Sequence, residues 1–154
     1  MKSPFLPSLL LIAATALAGC GGKSGDSAAT SAATASGPGS KYDSGPRAAE
    51  EPLDQALAET GEQLFKDKGC SACHTFGRKL TGPDLAGVSQ RRTARWIERQ
   101  ILHPDLMTKE DPTAKKLLAE FMLQMPNQGL NPGEARAIVE YFKHQDHEAA
   151  GSPE

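Results

Sequence analysis

Cys70-Ser71-Ala72-Cys73-His74 is the stretch on which the reading of this chain turns. Two cysteines separated by two residues, with a histidine directly after, form the attachment pattern for c-type haem. At that spacing both sulfurs reach the two vinyl groups along one porphyrin edge as thioethers. The adjacent imidazole then lies under the iron. Other chemistries also use cysteine pairs. A thioredoxin-like redox pair has this spacing, but it normally follows a strand in a βαβ unit, and no strand pattern is visible here. A structural zinc site needs four ligands, and there is no second Cys pair. An exported chain can instead close Cys70 and Cys73 as a disulfide, which would leave a small core without its filling.

Working outward, both flanks read as helices. Upstream, from about Leu53, Leu57, Gly61, Leu64 and Phe65 fall on one helical face. Thr60 and Gln63 form a possible capping box within that stretch, and Gly69 suits its end. Thr75 to Ser89 holds Gly77, Gly82, Pro83 and Gly87 and reads as an irregular loop. Thr93 is placed to cap a helix carrying Trp96, Ile97, Gln100 and Ile101, which His103-Pro104 stops. Asp111-Pro112 pairs an N-cap with proline at the first helical position. The helix after it puts Leu117, Leu118, Phe121 and Met122 on one stripe and breaks at Pro126. Asn131-Pro132-Gly133-Glu134 starts a last helix with Ala135, Ile138, Val139 and Phe142 on its apolar face. No segment alternates as a strand does. The expected fold is all-α, with four to five helices.

Composition bounds the rest. A chain of 154 residues allows at most one ordinary domain, here 53–146. That span holds only Phe65, Phe76, Trp96, Phe121, Tyr141 and Phe142 as aromatics, so it is marginal on surface-to-volume grounds and needs a staple. A net charge of -2 excludes a generic polyanion binder, so no nucleic-acid partner is expected. Three cysteines exclude a simple closed disulfide framework.

The third cysteine belongs to a different segment. Lys2 precedes an apolar run from Phe5 to Ala18, too short to cross a bilayer core of ~30 Å but proportioned like a signal peptide. It ends in Leu17-Ala18-Gly19-Cys20, which resembles the lipobox of bacterial lipoproteins. That likeness implies cleavage before Cys20 and lipidation of its thiol and new amine, which satisfies the need for more than one acyl chain in stable anchoring. Residues 1–19 read as signal peptide and 20–52 as a lipid-anchored flexible linker. The stretch from Gly21 to Pro46 is nearly all Gly, Ser, Ala, Thr and Pro. Such a coil reaches ~30 Å and buries too little apolar surface to order itself. Residues 147–154 read as a disordered tail.

The domain resembles the class I, mitochondrial-type cytochromes c over residues 59–143. Gly61-x-x-x-Phe65 matches the family's first helix, where glycine lets the last helix cross closely. Thr81-Gly82-Pro83-Asp84-Leu85 matches the loop whose proline carbonyl accepts a hydrogen bond from the proximal histidine. Met125-Pro126, followed by a helix with Tyr141, matches the distal-ligand loop and closing helix. The resemblance implies one haem c held by Cys70 and Cys73, with His74 and Met125 on the iron and Pro83 behind His74. Thr113-Ala114-Lys115-Lys116-Leu117-Leu118-Ala119-Glu120 is similar, much less specifically, to small cytochromes associated with nitrous oxide respiration. The residues favour the same distal ligand: Pro126 biases Met125 out of helix, Met122 lies on the packing stripe, and Met107 comes well before the loop.

Trp96 is expected in the core against the haem, where its N–H suits a propionate. His103, His144 and His147 read as surface residues. Arg91, Arg92, Arg95 and Arg99 read as a solvated face or as a docking patch for an acidic partner. The functional expectation is a membrane-tethered carrier on the periplasmic side, passing one electron between redox proteins, at least one of them membrane-bound. Neither enzymatic turnover nor a small-molecule substrate is expected. The alternatives are a five-coordinate haem enzyme or gas sensor and a fixed electron-entry subunit of a reductase or oxidase.

Overall fold

The structure, a computed structural model, describes residues 39–151. The signal peptide, Cys20, the linker up to residue 38 and residues 152–154 lie outside the described residues. Six α-helices and no strand occur among the described residues: α1 Gln55–Asp67, α2 Val88–Arg91, α3 Ala94–Leu102, α4 Pro104–Glu110, α5 Pro112–Phe121 and α6 Pro132–Gly151. None is long and apolar enough to cross a membrane. The all-α expectation holds: α1, α3, α5 and α6 are the patterned helices, and α2 and α4 bring the number to six against the four to five expected.

Most helix ends follow local chemistry. Thr93 Oγ1 accepts from Trp96 N at 3.1 Å and starts α3. Asp111 Oδ1 accepts from Thr113 N and Ala114 N at 2.9 and 3.0 Å and starts α5. Asn131 and Glu134 close the reciprocal box at α6, with bonds of 2.8 and 3.0 Å. Two ends differ from expectation. Asp54, not Thr60, caps α1 through Leu57 N at 3.0 Å. Pro104 both stops α3 and occupies the first turn of α4, because its missing N–H costs nothing there.

The backbone of the fold is the crossing of α1 and α6. A Cβ on Gly61 would stand 2.0 Å from the Ala137 carbonyl oxygen and 2.9 Å from Tyr141 Cβ, so only glycine permits this approach. Around the crossing, Phe65, Phe76, Tyr141 and Phe142 cluster with ring centroids 5.5 to 6.3 Å apart. Buried Asp146 on α6 accepts from Gly87 N, Ser89 N and Ser89 Oγ at 2.5, 2.9 and 2.6 Å, and so caps α2. Buried Lys143 donates to Pro52 O at 2.6 Å and to Glu140 at 2.9 Å.

Three expectations need correction. Residues 20–52 were expected to be flexible throughout, yet Tyr42, Asp43, Arg47 and Ala48 are buried. Asp43 accepts from Arg47, Arg92 and Thr93 N, and Ala48 N donates to Arg92 O at 2.9 Å. Tyr42 and Asp43 lie inside the Gly21–Pro46 stretch, so its average composition hid the two residues at which packing begins. The tail expected at 147–154 is helical as far as Gly151, because Gly, the usual stop, comes only there. Met122 does not pack: α5 ends at Phe121, and Met122 takes a left-handed φ of 51° with 83% of its surface exposed.

Candidate functional site

The segment after α1 turns on Gly69, whose φ of 73° suits glycine, into a 3-10 turn Cys70–Ala72. His74 N donates back to Cys70 O at 3.0 Å, so both thiols and the imidazole are held in one compact turn. Cys70 and Cys73 are not joined to each other as a disulfide, and burial would push a free Cys70 thiol up from its usual pKa. Among the described residues no group of His, Cys, Asp and Glu is placed to hold a metal ion by itself. With no strand among the described residues, the thioredoxin-like alternative loses its structural context.

His74 Nδ1 lies 3.0 Å from the Pro83 carbonyl oxygen. A carbonyl can only accept, so Nδ1 carries the proton and Nε2 is left as the lone-pair donor. Gly82 makes room for this ring: a Cβ there would meet His74 Cε1 at 2.6 Å and Nδ1 at 2.9 Å. Gly82 N also donates to Cys73 O at 2.9 Å. Asp84 Oδ1 then ties the loop by accepting from Gly77 N at 2.8 Å and Ala86 N at 2.9 Å. The bond from Ala86 N, with lesser help from Gly77 N and the Arg91 charge, holds the Asp84 carboxyl below its usual pKa.

Cys70, Cys73, His74, Pro83, Trp96 and Met125 all line one cavity of about 420 Å³. Its walls come mainly from apolar side chains, including Phe65, Ile97, Leu117 and Phe142. The sequence-derived site residues of the domain are therefore brought together. His103, His144 and His147 do not line it, and His144 pairs instead with Glu148 at 3.6 Å.

Residues 122–131 form a loop without regular structure, part of which lines the cavity. Asn127 Nδ2 donates to Leu102 O at 2.9 Å, and Thr108 Oγ1 donates to Gln124 Oε1 at 2.9 Å, pinning the loop to α3 and α4. Gln100 Nε2 lies 3.8 Å from Met125 Sδ, within reach of a weak N–H···S bond. Gln100 and Asn127 were missed at the level of sequence. Their partners lie 25 residues away, and nothing local marks them.

The cavity fits a haem by shape and by donor set: two thiols, an imidazole nitrogen, a thioether sulfur and apolar walls. Polar atoms agree. Trp96 is 4% exposed and lines the cavity, yet its Nε1–H has no partner within the protein. A buried N–H of this kind calls for an acceptor, and a haem carboxylate would fit it. Arg91 and Arg92 line the same wall.

The cytochrome c family model matches residues 58–146, more than half of the chain. The chain belongs to the cytochrome c family. Its cofactor is accordingly haem c with iron, attached covalently, and the sequence has one attachment motif. The chain is 29% identical to cytochrome c-551 of Pseudomonas denitrificans over 83 residues, covering 54% of this chain and 94% of that protein. It is 46% identical to cytochrome c-551 of Stutzerimonas stutzeri over 39 residues, which spans 25% of this chain and only 38% of that relative. A solved cytochrome c from Rhodothermus marinus superposes with a TM-score of 0.60 at 35% identity, covering 66% of this chain and 96% of that one. The segment 39–57, including Tyr42, Asp43 and Arg47, lies outside the family match.

Proposed function

We propose that this chain is a membrane-tethered, single-haem electron carrier that moves one electron at a time between respiratory redox proteins on the periplasmic side. The observation that carries the reading is the convergence of His74, Met125 and both thiols on one apolar cavity. When bound, haem c supplies a one-electron Fe(II)/Fe(III) couple. Cys70 and Cys73 hold it through thioether bonds, and covalent attachment prevents its loss outside the cytoplasm. His74 would hold the iron through Nε2, with the ring oriented by the Pro83 carbonyl. Met125 would hold it through Sδ, steadied by Gln100. If His74 and Met125 both held the iron, the chain's own side chains would leave it no open position for a substrate, which favours a carrier over an enzyme or gas sensor.

The residues also bias the couple. A thioether ligand favours the reduced iron and raises the potential. Apolar walls disfavour the more highly charged ferric form and act in the same direction. Trp96 Nε1 offers a hydrogen bond to a haem carboxylate. Lipid on Cys20 and the linker after it would keep the domain near a membrane-bound donor or acceptor at high effective concentration.

Visible spectra of both redox states test the site. Wild-type protein is expected to show the weak far-red ferric band of His/Met ligation and little CO binding when reduced. Met125→Ala should lose the band and gain CO binding, while Met122→Ala should change neither. The reverse pattern would move the ligand to Met122, and CO binding by wild type would favour the five-coordinate reading. Incorporation of labelled palmitate, abolished by Cys20→Ala, checks the anchor separately.

A further inference from the structure

The segment just before the family-matched region makes a set of buried polar contacts that the carrier reading does not use. Asp43 is fully buried. Its Oδ1 accepts from Thr93 N at 2.9 Å and Arg47 Nη1 at 3.0 Å, and its Oδ2 accepts from Arg92 Nη1 at 2.7 Å. Arg47 also donates to the carbonyls of Asp43, Gly45 and Arg91, at 2.8, 2.9 and 3.0 Å. Thr93 Oγ1, the cap of α3, donates in turn to Tyr42 O at 3.0 Å. These bonds fix the first turn of α3 from outside the helix.

What that turn carries gives the contacts a role. The Arg92 guanidinium lies 5.0 Å from the Trp96 ring centre, stacked as a cation on its face. Both side chains line the cavity, while Asp43 does not. Two guanidiniums share the one Asp43 carboxylate, so a positive charge remains at the wall beside the unpartnered Trp96 N–H. A cation and an N–H donor side by side in a buried wall suit a carboxylate, and haem brings carboxylates.

We propose that Asp43 is a positioning residue of the haem site: it holds Arg92 against Trp96 at the carboxylate edge and so raises the reduction potential. The inference rests on the reading that Trp96 and Arg92 face a haem carboxylate. The fork of Arg92 suits this double duty, because a planar guanidinium can bond Asp43 and still stack on the indole, as an ammonium cannot. The Asp43 contact is charge-assisted and buried, and it fixes the Arg92 side chain far better than a surface pair would. A low-dielectric wall then lets a fixed charge act strongly on the iron.

The test is the potential of full-length holoprotein, because its sign separates this role from a direct one. Asp43→Asn keeps an oxygen for Thr93 N but removes a negative charge. If the Asp43 charge acted on the iron directly, its removal would destabilise Fe(III) and raise the potential. If Asp43 acts through Arg92, releasing that cation leaves the haem carboxylate unopposed, and the potential falls. The expected change is about threefold in the Fe(III)/Fe(II) ratio, or ~30 mV at ~59 mV per tenfold. Arg92→Gln should lower the potential at least as much, and the double variant no further than Arg92→Gln alone. A far-red ferric band retained in every variant keeps the His/Met site out of the comparison. A rise or no change in Asp43→Asn, with Arg92→Gln lowered, overturns the role of Asp43. No change in Arg92→Gln overturns the carboxylate reading and the proposal with it. If Asp43→Asn does not fold, Arg92→Lys decides: a lowered potential at unchanged charge supports positioning, and a wild-type potential refutes it.

Discussion

Replacing Gly61 by alanine should cost more stability than any other single added methyl in this domain. At an ordinary helix position the change would help, by ~1 kcal/mol of helix propensity. Here the new Cβ would lie 2.0 Å from Ala137 O, 2.5 Å from Ala137 C and 2.9 Å from Tyr141 Cβ. Carbon and carbonyl oxygen do not settle closer than about 3.3 Å even in favourable contacts. The obstacle is backbone, which no rotamer change can move. Helices α1 and α6 must therefore separate by about 1 Å at the crossing, a gap that forfeits roughly a quarter to a half of each local dispersion contact. Overpacking costs ~1–3 kcal/mol where side chains can adjust, and the upper end applies here. Net of propensity, the expected loss is about 2 kcal/mol, or roughly 10 °C in Tm for a domain of this size. Thermal unfolding of ferric Gly61→Ala by far-ultraviolet circular dichroism measures it. Gly151→Ala is the control, because an added Cβ there meets nothing within 4 Å. A Tm for Gly61→Ala at or above wild type would refute the reasoning.

Two further predictions concern the walls of the site. Asp84 has a folded pKa below its ordinary value, so its contribution to stability is present above the unfolded pKa and is lost as pH falls through the folded one. The stability gap between wild type and Asp84→Asn should therefore be constant from neutral pH to about pH 4 and shrink below it; a gap that persists unchanged in stronger acid would sink the assignment. Gln100→Leu removes the 3.8 Å contact to Met125 Sδ. A lost weak bond of ~0.5 kcal/mol should speed CO binding to reduced protein by about twofold, and an unchanged rate would show that Gln100 does not steady the sulfur.

The parts of this molecule that were legible in sequence are those whose physics is local. Cys70, Cys73 and His74 sit within one turn, so their chemistry needs no tertiary information. Thr93, Asp111 and Asn131 cap the helices that immediately follow them, and Pro126 restricts the Met125 beside it. The parts that were missed are long-range or depend on where a helix stops. Asp43 meets Arg92 across 49 residues of chain, and a stretch read by composition alone hides a single buried aspartate. Met122 was placed on a packing stripe by extending the α5 periodicity one residue too far. In the fold that residue is the left-handed cap, and its side chain faces solvent. The Arg91–Arg99 cations looked like a free face, yet Arg92 is bonded to Asp43 and Arg99 stacks 4.2 Å from the Tyr42 ring centre.

The same long-range bonds explain how so lean a chain builds an electron-transfer site. With six aromatics in its domain the chain cannot fill a cavity of about 420 Å³ from its own side chains, so covalent cofactor and protein walls must be counted as one core. Rigidity then has to come from polar contacts at the rim, where the aromatic supply runs out. Pro83 and Gly82 hold His74, Asn127 and Gln124 pin the Met125 loop, and Asp43 clamps the start of α3. In the proposed reading each of these holds a group that would face the iron or a haem carboxylate. Small displacements of these groups would alter ligand strength and local charge, so on that reading the bonds that hold the fold together would also set how readily the iron gives up its electron.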